Sequence, residues 1–132
     1  MILIVLLVLA LFVLQTLLPN RLREPAPAGH AAGLKHSLGP RDHQQPYTVT
    51  GARAARALGN MQEALPVFLA LALMNLFVNP GADAITGAWI FLIARIVYVP
   101  LYLAGIPVLR TLVWAVSWVG LIMMLLPLLE RI

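Results

Sequence analysis

The 132-residue sequence contains no cysteine. Disulfides, cysteine nucleophiles and cysteine-based metal sites are therefore excluded. Charge is scarce as well. Charged residues make up 11% of the chain, against about 25% in soluble domains. The first apolar run has no basic n-region before it and no small-x-small cleavage site after it, so a cleaved signal peptide is not expected. What remains is apolar: 61% of the residues are hydrophobic, against roughly 45–50% in soluble proteins. The length suits one domain. A soluble fold of that size lacks the polar skin to cover so much apolar surface. A bilayer removes the conflict, because the solvent is itself apolar. The net charge of +4 does not imply nucleic acid as a partner, since the few basic residues lie in or beside apolar segments, where they report membrane orientation.

The sequence predicts an all-α integral membrane protein, an up-down four-helix bundle in a single domain spanning residues 1–132. Four spans are expected, at about 2–18, 50–78, 84–103 and 108–129. The first is about 17 residues long, near the lower limit for a ~30 Å hydrocarbon core. Residues 19–49 form a polar connection rich in Pro and Gly, in which Pro19 onward discourages helix. Thr48 or Thr50 is placed to cap the second span. Pro66 and Pro100 are expected to kink the spans that hold them. Asn79-Pro80-Gly81 and Gly105-Ile106-Pro107 are short turns that force antiparallel neighbours.

Arg21, Arg23, Lys35, Arg41, Arg53, Arg56 and Arg110 gather at one side of these spans, whereas Asp83, Glu130 and Arg131 fall at the other. The positive-inside rule puts the long first loop in the cytoplasm and both termini opposite. A bacterial inner or plasma membrane is the expected location.

A charged side chain at bilayer depth costs roughly 2.5–3.5 kcal/mol on insertion scales, so such residues are functional candidates by default. Arg53, Arg56, Asn60 and Glu63 are spaced by three, four and three. At about 100° per residue they occupy one arc of about 80°. Arg95, Tyr98 and Tyr102 share a stripe on the third span, and Arg110 opens the fourth. Two stripes and an arginine at the mouth can line one strongly positive pocket holding a carboxylate, an amide and two phenols. A small peptide-like molecule with two carboxylates and an amine matches that set, with Arg as a planar fork for carboxylate. A thiolate is also stabilised beside Arg. A second reading stands beside this one: Arg53 and Arg56 snorkel to headgroups, and Glu63 with Arg95 forms a structural ion pair. Trp114 and Trp118 read as packing or lipid-facing residues. His30, His36 and His43 match no ligand spacing and have no acidic cluster beside them, so no metal site is expected. Lys35 and His36 are further candidates for a ligand mouth.

The run from Arg53 through Arg56, Asn60 and Glu63 resembles the R-x-x-R-A-x-x-N-x-x-E signature of the membrane-associated proteins in eicosanoid and glutathione metabolism, the MAPEG family. Pro66, Phe68 and Leu69 continue the match. Arg95, Tyr98, Tyr102, Pro107 and Arg110 resemble the family's second signature. The resemblance covers nearly the whole chain. It implies a homotrimer of four-span protomers that binds glutathione between subunits near the cytoplasmic face. By that resemblance Arg53, Arg56, Asn60 and Glu63 hold the glutathione backbone, Tyr98 and Tyr102 line the pocket, Arg110 stabilises the thiolate, and Arg95 braces Glu63 or contacts the ligand. Ala52 stands where many members carry Glu, Thr111 where some carry Ser, and Gly59 where a basic residue is common.

The activity expected on this basis is glutathione-dependent transfer or peroxide reduction on lipophilic substrates, with glutathione as co-substrate. The partners implied are two further copies of the chain and membrane lipid. The alternative is a non-catalytic membrane scaffold or anion-binding protein of the same fold. A small four-span drug-efflux transporter is the third class; such proteins depend on an acidic residue in the first span, and residues 1–18 contain none.

Overall fold

The computed structural model describes residues 1–25 and 45–131. Four helices follow one another: α1 (Ile2–Arg21), α2 (Val49–Phe77), α3 (Ala82–Ala104) and α4 (Pro107–Leu129). Each is long and apolar enough to cross a membrane.

α1 runs three residues past the expected end, with Pro19 buried inside it. Proline removes one hydrogen bond and crowds the carbonyl four residues back, but here it lies in the last turn, where Leu22 N–H closes the helix on the Pro19 carbonyl at 3.2 Å. α2 starts behind Thr48, whose hydroxyl oxygen accepts from Gly51 N–H at 3.0 Å. Its 29 residues extend about 43 Å at 1.5 Å each, so one end stands beyond a ~30 Å core. α3 ends at Gly105, left-handed at φ 78°, where the N–H returns to the Leu101 and Tyr102 carbonyls at 3.1 Å. Pro107 then opens α4, a position where its missing N–H and fixed φ suit the first turn.

Contacts between helix ends fix the up-down-up-down order. Arg23 pairs with Tyr47 in an isolated antiparallel bridge. Thr48 N–H and hydroxyl both donate to the Leu22 carbonyl, at 3.1 and 2.8 Å. At the opposite end Arg131 Nη1 donates to the Val78 carbonyl at 2.6 Å.

Inside, Phe68 of α2 and Phe91 of α3 stack at 4.6 Å, and Ile4, Val8, Met61 and Met124 fill the space around them. α3 and α4 approach closely at Gly87 and Gly120, where a Cβ on Gly87 would lie 2.5 Å from the Gly120 carbonyl oxygen. Small residues at a helix contact are how membrane helices gain van der Waals packing without a hydrophobic driving force. Buried Asn75 adds polar glue: its Nδ2 donates to the Leu71 and Met124 carbonyls, both at 2.9 Å. The outer surface carries large apolar side chains such as Leu14, Phe77, Ile93 and Leu112.

Candidate functional site

The end of the bundle where α3 turns into α4 carries a polar cavity of about 200 Å³. Asn60 of α2, Tyr98 and Tyr102 of α3, and Arg110, Thr111 and Trp114 of α4 line it. Three helices thus contribute to one wall, and the turn at Gly105 brings Tyr102 and Arg110 face to face.

The α3 side is a ladder along one helix face. Phe91, Arg95, Tyr98 and Tyr102 are spaced by four, three and four residues, the spacing of stacked neighbours on a helix. The Arg95 guanidinium lies 5.2 Å from the Phe91 ring and 5.6 Å from the Tyr98 ring. Tyr98 meets Tyr102 edge-on at 5.3 Å. The Arg110 guanidinium then covers the Tyr102 ring at 4.5 Å. Among the described residues no group accepts a hydrogen bond from the Arg110 guanidinium. Its donors are therefore available to an anion beside it.

Four of the residues expected from sequence meet at this cavity: Asn60, Tyr98, Tyr102 and Arg110. Arg95 lies behind the wall. It is 1% exposed, and its Nη1 donates to Asn60 Oδ1 at 2.7 Å. It makes no hydrogen bond to Glu63: its Nε and Nη2 have no hydrogen-bond partner among the described residues. Arg53 is committed elsewhere. Its Nη1 donates to the Leu103 carbonyl at 3.0 Å, and its guanidinium fills the space that a side chain at Gly105 would need. It secures the α3–α4 turn. Arg56 and Glu63 are exposed and do not line the cavity in this chain.

The split has a geometric cause. In the ~80° arc, Arg53 and Asn60 lie at one edge, and Arg56 and Glu63 at the other. The first edge turns into the bundle and the second turns out of it. Within this chain the carboxylate of Glu63 is therefore on the outer face and not among the groups that line the cavity.

Two lining residues escaped the sequence reading. Thr111 donates its hydroxyl to the Pro107 carbonyl at 2.9 Å. That leaves the oxygen to the cavity as an acceptor only. Trp114 is one turn beyond Arg110 and lines the cavity, rather than serving only as packing or a lipid anchor. Their spacing from Arg110 was the available signal. His30, Lys35, His36 and His43 lie outside the described residues.

A family-level sequence model described as the MAPEG family matches residues 1–129 of the chain. No curated protein and no solved structure matches.

Proposed function

The chain belongs to the MAPEG family and is an integral membrane protein, and on that premise we propose that it binds glutathione and activates its thiol against a lipophilic substrate from the bilayer. The observation that carries this reading is the Arg110 guanidinium, placed over the Tyr102 ring at 4.5 Å at the cavity wall, with no group among the described residues accepting a hydrogen bond from it. A cation held beside a thiol favours the thiolate. The arginine is then an electrostatic stabiliser, and the protein forms no covalent bond to substrate.

The residues present fit the tripeptide in kind. Asn60 and Tyr98 offer hydrogen bonds within the cavity. On the outer face of α2, Arg56 suits a carboxylate and Glu63 an ammonium. At about 200 Å³ the cavity falls below the roughly 300–1,000 Å³ usual for ligand sites. We therefore read it as half a site, completed when a neighbouring protomer of a homotrimer covers Arg56 and Glu63. The clustered arginines at this end favour the cytoplasmic side for it, with both termini opposite.

The test uses purified wild-type protein in nanodiscs. Glutathione should raise its melting temperature and produce an ultraviolet thiolate absorbance. Arg110→Ala should keep the fold and oligomeric mass while losing the thiolate signal and about 100-fold or more in turnover, the scale of one lost charge-stabilising group. A wild-type protein whose melting temperature ignores glutathione overturns the proposal.

A second reading, a scaffold or anion binder without turnover, draws on two observations: Arg53 and Arg95 make hydrogen bonds within the bundle, to the Leu103 carbonyl and to Asn60. Under it, Arg56→Ala and Glu63→Ala break the assembly. Under the enzymatic reading they weaken glutathione binding in an intact trimer.

A further inference from the structure

Arg95 is among the largest fully buried side chains, yet its one hydrogen bond among the described residues goes to a neutral group, Asn60 Oδ1, at 2.7 Å. Its Nε and Nη2 are sealed away without partners. A cation at this depth is expensive to keep, and its hydrogen bonding is spent on orienting a single amide. A guanidinium has donors and no acceptor. The Asn60 atom that faces it must therefore be the oxygen. An amide has one oxygen and one nitrogen, so fixing the first fixes the second. Asn60 lines the cavity. Its Nδ2 has no hydrogen-bond partner among the described residues and is not among the sealed polar atoms. It opens onto the cavity.

We propose that Arg95 is a positioning residue that locks the Asn60 amide with its N–H donors towards the ligand, so that this point of the site accepts a carboxylate or peptide carbonyl oxygen and rejects an ammonium or amide N–H. Without the lock the amide turns over freely and offers either face. With it, the ligand's orientation is set: an acceptor is directed to the inner end of the cavity at Asn60, while Arg110 waits for the anionic sulfur. The inference rests on the reading that glutathione occupies this cavity.

Asn60→Asp is the discriminating variant. The carboxylate keeps the shape and the Arg95 bridge, and replaces the donor with an acceptor. Measured in nanodiscs, its melting temperature without ligand should equal or exceed that of the wild type. Its glutathione Kd should rise about ten-fold or more, the loss of one hydrogen bond to a charged or polar acceptor plus repulsion. Arg95→Lys retains a donor for Oδ1 and should stay within about three-fold of wild-type affinity, whereas Arg95→Met should lose about ten-fold. If Asn60→Asp binds glutathione as well as the wild type, or Arg95→Met binds as well as Arg95→Lys, the lock is overturned. If the wild type itself does not bind glutathione, the proposed function fails separately. The lock is then judged without ligand, from unfolding of Asn60→Ala, Arg95→Met and the double variant: non-additive losses support it, and additive ones overturn it.

Discussion

Arg110 and Tyr102 sit on opposite sides of the turn at Gly105, and the guanidinium of one lies over the ring of the other at 4.5 Å. The pair holds the cation at the cavity wall without consuming its hydrogen-bond donors. Tyr102→Phe keeps the ring and should leave thiolate formation nearly unchanged. Tyr102→Leu removes a contact of roughly 0.5–2 kcal/mol, about two- to thirty-fold in turnover. Steady-state conjugation assays on both variants check this.

Gly105 should tolerate no side chain. Its φ of 78° is left-handed, and the Arg53 guanidinium occupies the place of a Cβ. Gly105→Ala is expected to cost about 1–2 kcal/mol in backbone strain, with a further cost for displacing Arg53 from the Leu103 carbonyl. Unfolding in sodium dodecyl sulfate, followed by circular dichroism, measures it. An alanine variant as stable as the wild type would show that the Arg53 contact is expendable.

Asn75 joins α2 to α4 through the Met124 carbonyl at 2.9 Å. Hydrogen bonds between membrane helices average about 0.6 kcal/mol and reach about 1.7. Asn75→Leu should fall in that range in the same unfolding assay. It should leave glutathione binding untouched, because Asn75 is not among the residues that line the cavity.

Gly120→Val inserts three carbons where the Gly87 carbonyl and Phe91 N–H already stand. Overpacking of this kind costs typically 1–3 kcal/mol. The α3–α4 contact should open, lowering the melting temperature. The ligand site should weaken only as far as the separation reaches Trp114.

The natural absence of cysteine makes orientation directly measurable. Glu24→Cys and Glu130→Cys, both at exposed positions at opposite ends of the bundle, should react with an impermeant thiol reagent from opposite sides of a sealed vesicle. Glu24→Cys is expected on the cytoplasmic side. Labelling of both from one side would refute the up-down order.

The four helices and the ladder on α3 were legible in the sequence, because apolar run length and three-four spacing are local properties. Asn60, Tyr98 and Tyr102 followed from the same periodicity, and Arg110 from its place just after the turn that opens the fourth span. What periodicity does not give is where a helix meets its neighbours. It placed Arg53, Arg56, Asn60 and Glu63 on one arc, yet the boundary between interior and exterior cuts through that arc. Arg56 and Glu63 therefore face out. Arg53's hydrogen bond depends on where α3 happens to end, some fifty residues later, at Leu103. Pro19 read as a stop, yet it is buried in the last turn of α1, which ends two residues later at Arg21. Thr111 and Trp114 carried one sequence signal, their spacing from Arg110, and the cavity gives that spacing its meaning.

The junction between α1 and α2 closes on itself. The Leu22 carbonyl receives both donors of Thr48, Arg23 bridges to Tyr47, and Glu24 N–H reaches the Pro46 carbonyl at 3.0 Å. The chain therefore departs and returns at adjacent points, and alignment of the first two spans does not hinge on how much sequence is threaded between them. Doubling that stretch adds only about 0.6 kcal/mol of closure entropy. A reporter or epitope spliced between residues 25 and 45 therefore leaves the clasp of Leu22 on Thr48 in place, and with it the alignment of α1 and α2.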